Sequence, residues 1–146
     1  MASVTDKAIE LLEKTGLKNT SSRRSVLSVF IDNEFALNYH EIQENLQEKL
    51  DKVTIYRSLK KFEEVGIIHQ VPDMSGTIRY ALCAHQCNNN HHKDSHVHFN
   101  CQKCEKTYCI EDTQIPLISL PKNYLIDDMM VLVRGICNDC RTQLTS

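Results

Sequence analysis

The chain has 146 residues, 41% hydrophobic and 25% charged, a balance that fits one ordinary or two small globular units and argues against a disordered chain. Its formal net charge of -2 means that any affinity for nucleic acid must come from a local patch rather than from the molecule as a whole. Residues 1–22 lack the pattern of a leader and no apolar run is long enough to span a bilayer, so the expected location is the cytoplasm, with no membrane partner.

Apolar residues recur at helical spacing through the first half. Val4 to Lys14 reads as a first helix. Thr20, Ser21 and Ser22 can cap a second from about Arg23 to Phe35, because short hydroxyl side chains satisfy the free amides of a first turn. Asn38 can cap a third, from Tyr39 to about Leu50. From Lys52 to Val65 a fourth helix would turn Ile55, Leu59 and Phe62 inward and Thr54, Arg57, Ser58 and Lys61 outward, with Gly66 ending it. Ile67 to Val71 and Thr77 to Leu82 then read as strands around a turn, which appends a hairpin to a helical trio in the layout of a winged helix-turn-helix.

The chemistry changes after Leu82. All seven cysteines lie at or beyond Cys83, and an odd number without a secretion signal fits metal ligation better than a disulfide framework. Ala84 to Ser95 is polar and aperiodic and reads as a loop, in which His85, Cys87, His91 and His92 are more simply solvated side chains than ligands. Val97 to Cys101, Lys106 to Ile110 and Met129 to Ile136 read as strands, and Pro116 and Pro121 restrict any helix between them to a turn or two.

Two CxxC pairs, Cys101 with Cys104 and Cys137 with Cys140, can place four thiolates on one ion in the closed tetrahedral cage of structural zinc. A redox dithiol would use one such pair beside a βαβ pattern, which is absent. A second metal could use Cys83, His96, His98 and Cys109, with His69 as a further ligand, because His-x-His on a strand delivers two imidazoles to one face. On the fourth helix, Lys60 and Lys61 suit phosphate, while Thr54, Tyr56 and Arg57 are types that can contact base edges in a major groove. A solvated amphipathic face is the plainer reading of that helix on charge alone.

The run Val53 to Ile68, Arg79-Tyr80, His96-x-His98-x-x-Cys101-x-x-Cys104 and Gly135-Ile-Cys137-x-x-Cys140 together resemble the ferric uptake regulator family, in order and over nearly the whole chain. Thr20 to Val29 also resembles the family's second-helix motif, with Arg23 where an arginine usually stands. The resemblance implies an α+β protein: a winged helix-turn-helix DNA-binding domain over 1–82, a hinge or loop over 83–95, and a small α/β dimerisation domain with structural zinc over 96–146. It implies a metal-dependent repressor that binds double-stranded, inverted-repeat operator DNA as a homodimer, with Thr54, Tyr56, Arg57, Lys60, Lys61 and Arg23 toward DNA. Cys83 falls where zinc-responsive members carry a regulatory cysteine, so the signal is expected to be a second Zn2+, with Fe2+ or Mn2+ as alternatives. The sequence departs from iron- and peroxide-responsive members: their third-helix histidine aligns with Ala36 and an acidic ligand aligns with Cys109. A late histidine of the family's auxiliary site aligns with Met129. Two other classes compete. A zinc hydrolase or deaminase would need an open coordination position and a His-x-Glu pattern, both missing here, and a zinc-ribbon interaction module would leave the wing and basic helix without a use.

Overall fold

The structure, a computed structural model, describes residues 2–71, 75–82, 97–110, 113–127 and 129–144. The chain divides into two compact units, Met1–His92 and Lys93–Ser146.

In the first unit, α1 (Val4–Lys14) begins with Ser3 and Asp6 in a reciprocal capping box. Helix α2 spans Ser21–Asp32. It starts earlier than the sequence predicts because Thr20 is the cap, its hydroxyl accepting from the Arg23 N–H at 3.3 Å. It also ends before Phe35, because the chain must straighten into β1 (Leu37–Asn38), a strand too short to leave an alternating pattern in the sequence. Helix α3 covers Tyr39–Asn45 and stops short of the predicted Leu50. The recurrence of Ile42, Leu46 and Leu50 suits a longer helix, but the chain turns after Asn45. The Asn45 side chain donates to the Glu41 carbonyl at 2.7 Å, and Ser25 of α2 donates to Glu48 at 2.6 Å, which holds the turn.

Helix α4 (Lys52–Glu64) buries Ile55, Leu59 and Phe62, as their spacing predicts. Ser58, expected outside, is buried as well and donates to the Thr54 carbonyl at 3.0 Å. At 3.6 residues per turn it lies about 60° from Ile55, beside Phe62, so a small residue is drawn into the edge of the apolar stripe. Gly66, at φ 79, closes the helix: its N–H donates to the Glu63 carbonyl and that of Ile67 to Phe62 at 2.8 Å. Strands β2 (Ile68–Val71) and β3 (Arg79–Leu82) complete an antiparallel sheet in the order β1-β3-β2, with Leu37 opposite Tyr80 and Ile68 opposite Leu82. Ala8, Leu12, Leu27, Phe30, Ile42, Leu59 and Phe62 bring α1 to α4 into one core with this sheet. The fold is a winged helix.

Polar contacts tie wing to helices, Gln70 of β2 donating to Glu63 of α4 at 3.1 Å and Arg79 of β3 reaching α3. Glu41 closes a capping box with Asn38, accepting from its N–H at 3.0 Å, and also accepts from the Arg79 guanidinium at 2.8 and 3.1 Å. The Arg79 side chain is only 12% exposed, so its charge has little water to fall back on.

In the second unit, β5 (Thr107–Ile110), β4 (Val97–Cys101) and β6 (Val131–Gly135) lie in that order. Strand β4 pairs antiparallel with β5 and parallel with β6. Gly135 sits where a Cβ would come within 3.2 Å of the Phe99 ring, so any other residue there would press the ring aside by a few tenths of an ångström. A last helix, α5 (Asn138–Leu144), was not legible as a separate element, being a single short run around Cys140. Among the described residues between Ile110 and Val131 there is no helix, which lies within the turn or two that Pro116 and Pro121 allow between them. No helix among the described residues is long and apolar enough to cross a membrane.

Glu41→Ala should lower stability by about 2–3 kcal/mol, because it strips a nearly buried guanidinium of its carboxylate and removes half of a capping box. Glu41→Gln should cost less, since its amide oxygen still accepts. Urea unfolding followed by circular dichroism measures both, and a loss below about 0.5 kcal/mol for Glu41→Ala would mean that the pair behaves as an ordinary surface ion pair.

Candidate metal centre and nucleic-acid interface

The β4–β5 turn and the start of α5 carry one CxxC pair each. Cys101 ends β4, its N–H donating to Lys106 at 2.9 Å, and Glu105 turns the chain at φ 62, so Cys104 folds back beside Cys101. Strand β6 then delivers Cys137, which the Gln102 N–H bond to Gly135 at 2.7 Å holds next to the first pair. The first turn of α5 brings Cys140 alongside, the Arg141 N–H donating to Cys137 at 2.9 Å.

The four sulfurs lie within 4.8 Å of one another, and Cys104 and Cys137 are 3.8 Å apart. With zinc–sulfur bonds of about 2.3 Å, the edge of a regular tetrahedron is about 3.8 Å, so the donor set fits zinc in size as well as in kind. All four are free thiols.

Burial pushes the Cys140 thiol up to about 12, helped by the neighbouring Cys137, and raises Cys104 as well. Cys101 is the exception. Burial opposes its ionisation too, but N–H groups of Cys104, Cys137 and Lys103 point at its sulfur and hold it down at about 6. A dication bound there would supply the positive charge that lets clustered thiols deprotonate. Tyr108 packs against the cluster, and burial, followed by the nearby Cys137, raises its hydroxyl. Four thiolates leave no open position, so the chemistry such a zinc supplies is a crosslink rather than catalysis.

Of the second predicted ligand set, Cys83 and His96 lie outside the described residues, as do His85, Cys87, His91 and His92. His98 and Cys109 face each other as a cross-strand pair of β4 and β5, with Nδ1 and Sγ 3.6 Å apart and His98 fully buried. His69 lies on β2 opposite Ala81.

The outer face of α4 presents Arg57, Lys60 and Lys61 to solvent beside Val53 and Tyr56, with Thr54 half-buried. Lys61 is 3.3 Å from Glu64 and shares its charge with it. Thr54 donates to Asp51 at the helix start. Arg23 donates to the Lys18 carbonyl at 3.0 Å, which draws its guanidinium back along the loop before α2. Two residues of α3 were not marked as functional by the sequence. Tyr39, the first residue of α3, stacks on Tyr56 with centroids 4.8 Å apart and planes within 2°, and no periodicity could have announced that pairing. Glu41 was readable as the fourth residue of an Asn38-x-x-Glu41 box, though its link to Arg79 was not.

A winged helix with a basic outer helix, followed by a sheet unit built around four converging thiols, defines a metal-containing helix-turn-helix protein. The chain belongs to the ferric uptake regulator family, whose model matches residues 14–122. It is 32% identical over 142 residues to the ferric uptake regulation protein of Staphylococcus aureus, covering 94% of this chain and 98% of that protein. Its fold is similar to that of a zinc uptake regulator solved with zinc and DNA, with a TM-score of 0.68 at 16% identity over the whole of both chains. It is also similar to the ferric uptake regulator of Helicobacter pylori, with a TM-score of 0.56 at 23% identity over 94% of this chain and 91% of that one. Members of the family are metal-responsive transcription regulators and not enzymes, which sets aside the hydrolase and deaminase readings.

Cys101→Ser and Cys140→Ser should each lose tightly bound zinc and make residues 97–144 sensitive to proteolysis. Among the described residues the core cluster around β4 and α5 consists of thiols with Phe99 and Tyr108, so little apolar surface there holds that unit without metal. Elemental analysis with limited proteolysis decides this, and a variant with full zinc or undiminished protease resistance would contradict it.

Proposed function

We propose that this regulator is a zinc-responsive repressor that binds inverted-repeat operator DNA as a homodimer. Residues 1–82 read DNA, 83–95 form the hinge, and 96–146 pair the subunits and hold the structural zinc on Cys101, Cys104, Cys137 and Cys140. The regulatory zinc is bound by Cys83, His96 and His98, with His69 or Cys109 completing the set.

The observation that carries zinc as the signal is the His98–Cys109 pair, which offers a thiol across the strand where an iron-responsive member would offer a carboxylate. Thiolate donors shift preference from ferrous iron toward zinc and toward four-coordination. The buried Ala36 in place of a histidine supports the same choice. Dimerisation is supported by the exposure of Leu117, Tyr124 and Leu125, 103%, 66% and 94% accessible, an apolar stretch that a second copy would cover. For DNA, support comes from the cationic face of α4 and from the zinc uptake regulator of like fold, which was solved with zinc and DNA. Ligands drawn from wing, hinge and β4 can share one ion in a single domain arrangement, so metal binding would select the DNA-competent conformation. Iron as the signal is a second reading, favoured by the name of the Staphylococcus aureus relative.

Cys83→Ser should raise the free zinc needed for DNA binding at least tenfold while leaving the structural zinc in place. Wild type should respond to zinc at lower free concentration than to ferrous iron or manganese under anaerobic conditions. Fluorescence anisotropy in metal-buffered solution reads both, and earlier activation by iron would replace zinc with iron as the signal.

Arg57→Ala should erode discrimination by about 1–3 kcal/mol if Arg57 reads a base edge, whereas Lys60→Ala should weaken all duplexes alike and flatten the salt dependence by about one unit of slope. Equal losses of specific and random binding in Arg57→Ala would remove its base-reading role.

A further inference from the structure

We propose that Tyr39 is a positioning residue for Tyr56: its ring fixes which edge of the Tyr56 phenol α4 offers to a base, and its own placement is tied through Glu41 to Arg79 on the wing. The inference rests on the reading of α4 as the DNA-reading helix.

The stack is close to parallel, 2° between planes at a centroid distance of 4.8 Å. Such offset contact restricts a ring that would otherwise rotate among its rotamers at the surface. Tyr39 is a firm support because it is itself half-buried against the core. Its backbone is the first turn of α3, fixed by the Asn38–Glu41 capping box, and Glu41 is held by Arg79 of β3. The Lys52 ammonium stands over the same Tyr56 ring, 5.8 Å from its centroid. Tyr56 nevertheless remains 44% exposed.

With one face of the ring stacked on Tyr39, the hydroxyl and the ring edge remain open to a ligand. That geometry suits a hydrogen bond from the hydroxyl to a base acceptor, or edge contact with a thymine methyl, in the major groove. It does not suit a ring inserted between bases, which would need both faces clear.

The test uses full-length, zinc-loaded protein and the duplex that wild type selects from a random double-stranded library. Tyr39→Leu should lower the preference for that duplex over a random one by about three- to tenfold, the range a stacked aromatic pair supports, with random binding and salt slope unchanged. Tyr39→Phe should retain wild-type preference, and Tyr39→Leu should add nothing in a Tyr56→Ala background. Undiminished preference in Tyr39→Leu, additive losses in the double variant, or equal losses on selected and random DNA would each overturn the proposal. If Tyr39→Leu fails to fold, the wild type decides alone: Tyr56 ring protons lacking the upfield ring-current shift of a stacked pair in its NMR spectrum would overturn it. A wild type that enriches no duplex overturns the DNA reading itself, an outcome distinct from enrichment that Tyr39 does not influence.

Discussion

The second unit depends on the meeting of two CxxC pairs that lie far apart in the chain. Parallel pairing of β4 with β6 sets the register that brings Cys101 beside Gly135 and so beside Cys137. A parallel pair needs a long crossover, and its closure entropy must be offset by something strong at the point of contact. Within the single chain Leu117, Tyr124 and Leu125 of the crossover face outward and contribute no such burial. Four thiols at tetrahedral spacing meet the need, because one ion linking both knuckles replaces the core that a short sheet lacks.

In the first unit the constraint is of another kind. A conventional core fixes α2, α4 and the sheet, and the basic face of α4 is what remains after Ile55, Leu59 and Phe62 turn inward. The molecule is slightly acidic overall, so the cationic surface is a matter of geometry rather than of composition. The Arg79–Glu41 pair adds a polar tie between wing and helices at low exposure, where geometry is enforced more strongly than at an open surface.

Family membership does not choose the metal, because members of one fold respond to different ions through small changes in donor type. The proposed choice of zinc rests on two features of this chain, the thiol of Cys109 opposite His98 and the buried methyl of Ala36. The relative from Staphylococcus aureus carries a ferric name at 32% identity, a level at which fold persists while individual ligands can change.

Local spacing was enough to specify the helices with strong apolar periodicity, α1 and α4, the strand β4, and the four-cysteine set, since each pattern has the same physical meaning in any context. The sequence also carried the signal that Gly66 ends α4, because a left-handed residue after a helix has few other uses. The ends of α2 and α3, the two-residue β1 and the inward position of Ser58 follow instead from neighbours distant in sequence. Helix α3 ends at Asn45, ahead of the turn in which Glu48 meets Ser25, and β1 exists because β3 pairs with it. The Tyr39–Tyr56 stack and the Arg79–Glu41 tie belong to the same class. Their partners are 17 and 38 positions apart and share no pattern, so nothing short of the folded chain could bring them together.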